Sequence, residues 1–164
     1  MQTQSSSTSI LQTPLISFII TAHNLPIQYL EECLKSILLL SLNAKEREII
    51  LVDDGSESYP LVELAQYRND IIYLRQRNMG VSMARNMGLR IARGKYIQFI
   101  DGDDYLILAP YEHCLDLARY HNPDIVTFEF AKVDNNEASF ELPAPINGAQ
   151  YLSTYNLKGS VCAY

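Results

Sequence analysis

Glu48-Ile49-Ile50-Leu51-Val52-Asp53-Asp54-Gly55-Ser56 is five residues of strand followed by a polar turn. A short, nearly continuous apolar run of this kind suits a strand buried on both faces of a parallel sheet. The same design recurs on either side of it. Upstream, residues 15–20 form an apolar run that ends in Thr21-Ala22-His23-Asn24. Downstream, Tyr96-Ile97-Gln98-Phe99-Ile100 ends in Asp101-Gly102-Asp103-Asp104, and residues 71–74 supply a further short run.

Helical patterns separate these strands. Pro26 is placed to open a helix, and Leu30, Cys33, Leu34, Ile37 and Leu38 recur at helical spacing behind it. A helix is expected over residues 61–67. Asn78-Met79-Gly80 reads as a turn into a helix over 81–92, with Val81, Ala84, Gly88 and Ile91 on one side and Gly94 closing it as a left-handed cap. A helix over 110–120 leads to a fifth strand over 124–130. Strands alternating with helices of this length predict an α/β fold built of βαβ units around a mainly parallel sheet. Beyond Lys132 the pattern weakens: residues 139–142 read as an edge strand stopped by Pro143 and Pro145, and 149–155 as a last helix.

Composition bounds the function. The chain has 164 residues and is 48% hydrophobic, enough for one domain burying about 70% of its unfolded surface. Thirteen basic against 19 acidic residues give a net charge of -6, which argues against nucleic acid as a partner. Cys33, Cys114 and Cys162 form no close pair, so reduced thiols in a cytoplasmic protein are expected. Residues 1–13 are rich in Ser, Thr and Gln and read as a disordered leader without the blocks of a signal peptide. No apolar stretch is long enough to span a membrane. The chain ends at Tyr164, directly after Val161-Cys162-Ala163, which reads as a chain cut short.

In an open parallel sheet, ligands bind beyond the carboxyl ends of the strands. Five aspartates stand at two such ends here. Clusters of like charge persist where a cation or hydrogen-bond donors offset the repulsion. A hard divalent ion takes oxygen ligands and commonly shares its shell with substrate phosphates, and Gly102 lets a ligand come close. A capped turn is the plain alternative for Asp101-Gly102-Asp103-Asp104, and its place directly after a strand favours the ion. Asp53 or Asp54 suits hydrogen bonds from a base or ribose. Gly80 precedes a helix N-terminus that carries Arg85, a combination suited to phosphate, against the alternative of a solvated arginine. His23, His113 and His121 have no partner pattern and read as ordinary positions.

Taken in order, these clusters resemble family 2 glycosyltransferases of the GT-A fold. The matching stretches are residues 17–24, 29–37, 48–56, 78–88, 94–104 and 123–126. The resemblance implies that Thr21 and Asp54 contact a nucleotide base, that Arg85 lies near the base or diphosphate, and that Gly80 lets the backbone pass close to the donor. It also implies that Asp103 and Asp104 match the Asp-x-Asp region, where ribose and Mn²⁺ or Mg²⁺ bind, with Asp101 sharing that work. The residues expected to hold the nucleotide-sugar are Thr21, Ala22, Asn24, Asp53, Asp54, Gly80, Arg85, Asp101 and Asp103, with Asp103 and Asp104 on the metal. Residues 14–132 are then the nucleotide-sugar-binding domain, and 133–164 the start of an incomplete acceptor side.

The activity implied is inverting, metal-dependent transfer from a nucleotide-diphospho-sugar, UDP-linked by expectation, to an acceptor hydroxyl on a carbohydrate or lipid-linked sugar. By family analogy this belongs to a bacterial polysaccharide pathway, and it is compatible with peripheral association at the inner membrane face and with a homodimer. The family's catalytic base is an Asp or Glu in the second half, often within a Glu-Asp pair. No such pair follows Asp104, so the base is expected outside this chain. The alternative is a nucleotide-binding fragment without catalysis. A haloacid-dehalogenase-type phosphatase fits less well, because its Asp-x-Asp follows the first strand, and a dinucleotide oxidoreductase lacks its GxGxxG here.

Overall fold

The computed structural model describes residues 13–128. The elements run β1 (Ile16–Ala22), α1 (Ile27–Leu38), β2 (Arg47–Asp54), α2 (Pro60–Glu63), β3 (Ile72–Gln76), α3 (Val81–Leu89), β4 (Tyr96–Asp101) and α4 (Leu108–Tyr120). The four strands are parallel and lie in the order β3-β2-β1-β4. Every residue of β1 is buried, as is all of β2 after Arg47, whereas the outer strands are only partly covered. The near-continuous apolar runs therefore sit in the middle of the sheet, where both faces are closed.

The register assigns each side chain to a face. Ile19 pairs with Ile50 and Phe99, Thr21 with Val52 and Asp101, and Asp54 with Gln76. Because strand side chains alternate, these residues share one face and Asp53, Ala22, Tyr73 and Arg75 share the other. Helix α3 packs on the first face through Ala84, which joins Ile19, Ile50 and Val52 in a buried cluster. Gly88 brings the helix close: a Cβ there would meet Ile19 Cγ2 at 2.4 Å. The row Leu30, Cys33, Leu34 and Ile37 of α1 is buried at the expected spacing.

The chain divides into two compact units, Met1–Leu108 and Ala109–Tyr164. The first holds the sheet. Within the second, α4 buries Tyr111, Cys114, Leu115 and Ala118, and the Tyr111 ring meets Phe128 edge-on with centroids 5.6 Å apart. Among the described residues no helix is long and apolar enough to cross a membrane.

Four expectations need correction. The helix over 61–67 is broken: α2 ends at Glu63, and a separate 3-10 turn covers Ala65–Tyr67. Leu64 and Tyr67 are both drawn inward, and a spacing of three fits the tighter turn better than a continued α-helix. Helix α3 stops at Leu89, and Val81 and Ile91 at its two ends are exposed while Ala84 and Gly88 face the sheet. Gly94 is not a left-handed cap, since the positive-φ glycines are Gly55 and Gly80. Residues 124–128 form no strand, and Ile125 is 61% exposed. Asn122 takes a left-handed backbone (φ 48) just before this stretch, and Pro123 brings no N–H to a ladder. The edge strand at 139–142 and the helix at 149–155 lie outside the described residues, as do residues 1–12 and Cys162. Cys33 and Cys114 are buried free thiols.

Candidate functional site

The carboxyl ends of β1, β2 and β4 lie side by side, and their polar residues split between the two faces. On the α3 face, Asp101 is the centre of one group. Its Oδ1 accepts from Thr21 Oγ1 at 3.1 Å and from Arg85 Nη2 at 2.7 Å. Thr21 and Asp101 are register partners, so the sheet itself sets the first contact. Arg85 reaches the second from α3, with its guanidinium 6.0 Å from the Phe99 ring centre. Its Nε is buried without a hydrogen-bond partner among the described residues.

Asp54 is the centre of the next group on the same face. Its Oδ1 accepts from Gln76 Nε2 at 2.7 Å and from the Met79 N–H at 2.9 Å, and its Oδ2 accepts from the Gly80 N–H at 2.8 Å. This carboxylate holds the turn that opens α3. Gly80 takes φ 89, and a Cβ there would meet nothing within 4 Å, so the turn selects glycine for its backbone angle and leaves open space over it.

Asp53, on the opposite face, is fully buried and equally engaged. Oδ1 accepts from the Ser56 N–H at 2.8 Å, closing the Asp53-Asp54-Gly55-Ser56 turn, while Oδ2 accepts from Tyr73 Oη at 2.7 Å and lies 3.4 Å from Arg75 Nε. The Arg75 guanidinium donates onward to the Ser56 carbonyl and stacks 4.9 Å above the Tyr59 ring. Burial, then the bond to Asp53, pushes the Tyr73 phenol well above its usual range. Ala22 is buried on this face as well. Asn24 adopts φ 50; its N–H donates to Ser56 Oγ at 2.9 Å, and its Oδ1 accepts from the Glu57 N–H at 2.8 Å.

Beyond β4, the Gly102 N–H donates to the Thr21 carbonyl at 2.9 Å, and a Cβ on Gly102 would strike Leu30 Cδ2 at 2.7 Å. The Asp104 N–H returns to the Asp101 carbonyl at 2.9 Å. The turn is therefore tightly packed at Gly102 and presents Asp103 and Asp104 to solvent. Partial desolvation of this exposed side chain, followed by the charges of Asp103 and Asp101, raises the Asp104 carboxyl above its usual range. Cys33 lies beneath this cluster, and burial plus the charges of Asp104, Asp103 and Asp101 push its thiol up to about 12. It is no nucleophile at neutral pH. No group of three or more His, Cys, Asp or Glu side chains able to hold a metal occurs among the described residues. Two adjacent exposed carboxylates nevertheless fit a hard cation that completes its shell with phosphate oxygens and water, and the cation would relieve their repulsion.

The sequence reading gave no site role to His23, Tyr73, Arg75, Gln76 or Asn78. Each bonds to a residue 19 or more positions away, and no local pattern signals such a contact.

A further carboxylate sits at the other end of the sheet. Glu48 is buried; its Oε2 accepts from Ser17 Oγ at 2.7 Å and the Arg93 N–H at 2.8 Å, and its Oε1 from Arg93 Nε at 2.8 Å. Burial pulls the Glu48 and Asp54 carboxyls upward, and their hydrogen bonds outweigh it, so both are held below the ordinary values of 4.5 and 3.8. Groups with depressed folded values contribute stability that is present above the unfolded value and is lost as pH falls through the folded one. The urea midpoint is therefore expected to stay level from about pH 7 to about pH 5.5 and to fall below about pH 4.5, less steeply in Glu48→Gln protein.

The family model for glycosyl transferase family 2 matches residues 17–161. The uncharacterized glycosyltransferase EpsJ of Bacillus subtilis (strain 168) is 37% identical over 133 residues, 79% of this chain and 38% of that protein. The minor teichoic acid biosynthesis protein GgaB of the same organism is 39% identical over 101 residues, 59% of this chain and 11% of that one. S. aureus TarS 1-349 has the same fold, with a TM-score of 0.66 at 24% identity over 76% of this chain and 38% of that chain. In its complex with UDP-GlcNAc the TM-score is 0.58 at 26% identity, over 65% of this chain and 32% of that chain. The chain thus spans between 11% and 38% of the length of these relatives. The parallel sheet flanked by helices, expected from the sequence as GT-A, is the fold found.

Proposed function

This chain belongs to glycosyl transferase family 2, and we propose that it forms the donor half of a transferase that moves a sugar from a nucleotide-diphospho-sugar, UDP-linked, to an acceptor hydroxyl with inversion. The observation that carries the reading is the convergence of Thr21, Asp54, Arg85 and Asp101 on one face at the strand ends, with Asp103 and Asp104 exposed just beyond. The UDP-GlcNAc complex of S. aureus TarS supports the choice of donor class.

Each part has a task its chemistry suits. The Thr21 hydroxyl and the open backbone over Gly80 line the nucleotide's path. Arg85 brings positive charge, and its unpartnered Nε is a donor ready for an anionic oxygen. Asp103 and Asp104 would hold Mn²⁺ or Mg²⁺, with Asp101 braced beside them by Thr21 and Arg85. The ion would supply charge neutralisation for a departing nucleoside diphosphate. Asp53 and Asp54 serve the site by fixing its turns. The acceptor, a carbohydrate or lipid-linked sugar, and the base that deprotonates it belong to the whole protein and lie outside residues 13–128.

Calorimetric titration with UDP is the test. UDP is expected to bind in the presence of Mn²⁺ and to be lost with EDTA, with GDP and ADP binding more weakly. Equal affinity for all three nucleotides, or UDP binding indifferent to EDTA, would sink the donor and metal assignments respectively.

A further inference from the structure

His23 is where three strand-end segments meet. Its Nδ1 lies 2.8 Å from the Asp54 carbonyl oxygen. A carbonyl only accepts, so Nδ1 carries a proton, and Nε2 is the acceptor on the ring's other side. That acceptor faces two side-chain amides, Asn78 Nδ2 at 3.2 Å and Asn24 Nδ2 at 3.3 Å. The ring therefore ties the end of β1 to a residue 31 positions away in β2 and to one 55 positions away, just before α3. Asn24 is oriented for this task. Its Oδ1 is taken by the Glu57 N–H and its own N–H by Ser56 Oγ, which leaves Nδ2 for the ring. Its left-handed backbone is one that asparagine tolerates better than most residues.

We propose that His23 is a positioning residue of the donor site, a clasp that holds the 78–80 turn against the ends of β1 and β2. The proposal rests on the reading of this strand end as the nucleotide site. Residue 54 is gripped twice, its carbonyl by His23 and its carboxylate by Gln76 and the Met79 and Gly80 amides. Asn78 reaches that anchor through the imidazole. Without the ring, the turn keeps its hold on the Asp54 carboxylate but loses the brace beside it, and Gly80 and the first turn of α3 gain freedom where the donor passes. Both ring nitrogens bond to the protein's own strand-end segments, which is the arrangement of a residue that holds the turn in place.

The test combines amide exchange at Met79 and Gly80 with UDP titration, for the 164-residue chain and its His23→Ala, Asn78→Ala and doubly substituted forms. Loss of the clasp is expected to speed exchange at both amides about tenfold and to weaken UDP binding about tenfold, the size set by one or two modest hydrogen bonds. The melting temperature should move by less than about 3 °C. The double variant should lose little more than either single one, because both remove the same bond. His23→Gln, which restores an acceptor toward Asn78, should recover part of both losses. Exchange and affinity within twofold of the unsubstituted chain, additive losses, or faster exchange throughout the sheet would overturn the proposal. If the unsubstituted chain binds no UDP with Mn²⁺, the donor-site reading falls, and exchange at Met79 and Gly80 then decides the clasp alone.

Discussion

Gly94→Ala is expected to lower the melting temperature by about 10 °C, a loss of about 3 kcal/mol or more. The added Cβ would lie 2.4 Å from the Ser17 backbone nitrogen, 2.6 Å from the Ile16 carbonyl carbon and 2.6 Å from Ser17 Oγ. Two of these neighbours are main chain, and they cannot rotate aside. The chain around Gly94 must move, and with it a connected set of bonds. The Gly94 N–H donates to Ser17 Oγ, Ser17 Oγ donates to Glu48, and Glu48 accepts both from the Arg93 backbone and from its guanidinium. Opening this network leaves a carboxylate buried without its donors, a costly state. The adjacent bonds from Lys95 and Tyr96 to Pro14 and Leu15 start the β1–β4 ladder, so its first rung is strained as well. Thermal unfolding followed by circular dichroism checks the shift. A fall of less than about 3 °C would mean that the 93–95 segment adapts without disturbing β1.

That same glycine shows what a sequence can and cannot reveal. Its place after a helix suggested a left-handed cap, because caps are local and have a local signature. Its actual task is to let another strand pass, and that neighbour is nearly 80 residues distant. The strands were legible for the opposite reason. Ile19, Ile50 and Val52 lie in apolar runs bounded by polar turns, and burial on both faces is written into the run itself. The helix at 61–67 had apolar spacing but broke at Leu64, where the demand to bury Leu64 and Tyr67 outweighed helical continuity. The candidate site drew attention in the sequence through its aspartates and its glycine-led helix, but their hydrogen-bond partners did not. Adjacent aspartates at a strand end point to opposite faces, so Asp53 and Asp54 serve separate networks. The partners that decide those networks, Tyr73, Arg75 and Gln76, sit in β3, where the sequence shows only a short apolar run.

Asp54→Asn is expected to weaken UDP binding about a hundredfold and to lower stability by about 3 kcal/mol even without nucleotide. The substitution keeps the shape and removes an acceptor. Three donors converge on the carboxylate, Gln76 Nε2 and the Met79 N–H on one oxygen and the Gly80 N–H on the other. An amide offers one oxygen and one NH₂. In either orientation an N–H group is turned against a backbone or side-chain N–H, and the bonds that remain lose the strength a charge lends them. The turn must open, carrying Gly80 and the N-terminus of α3 with it. Two roles for Asp54 can be told apart by this variant. A residue whose only task were to touch a nucleotide base would, once changed, cost affinity and leave the melting temperature of the nucleotide-free chain where it was. A residue that holds the turn costs both together. The saturated carboxylate favours the second, so the two losses should appear in one variant. A loss of affinity with an unchanged melting temperature would return Asp54 to direct contact with the base and leave the shape of the 78–80 turn to its backbone and to His23.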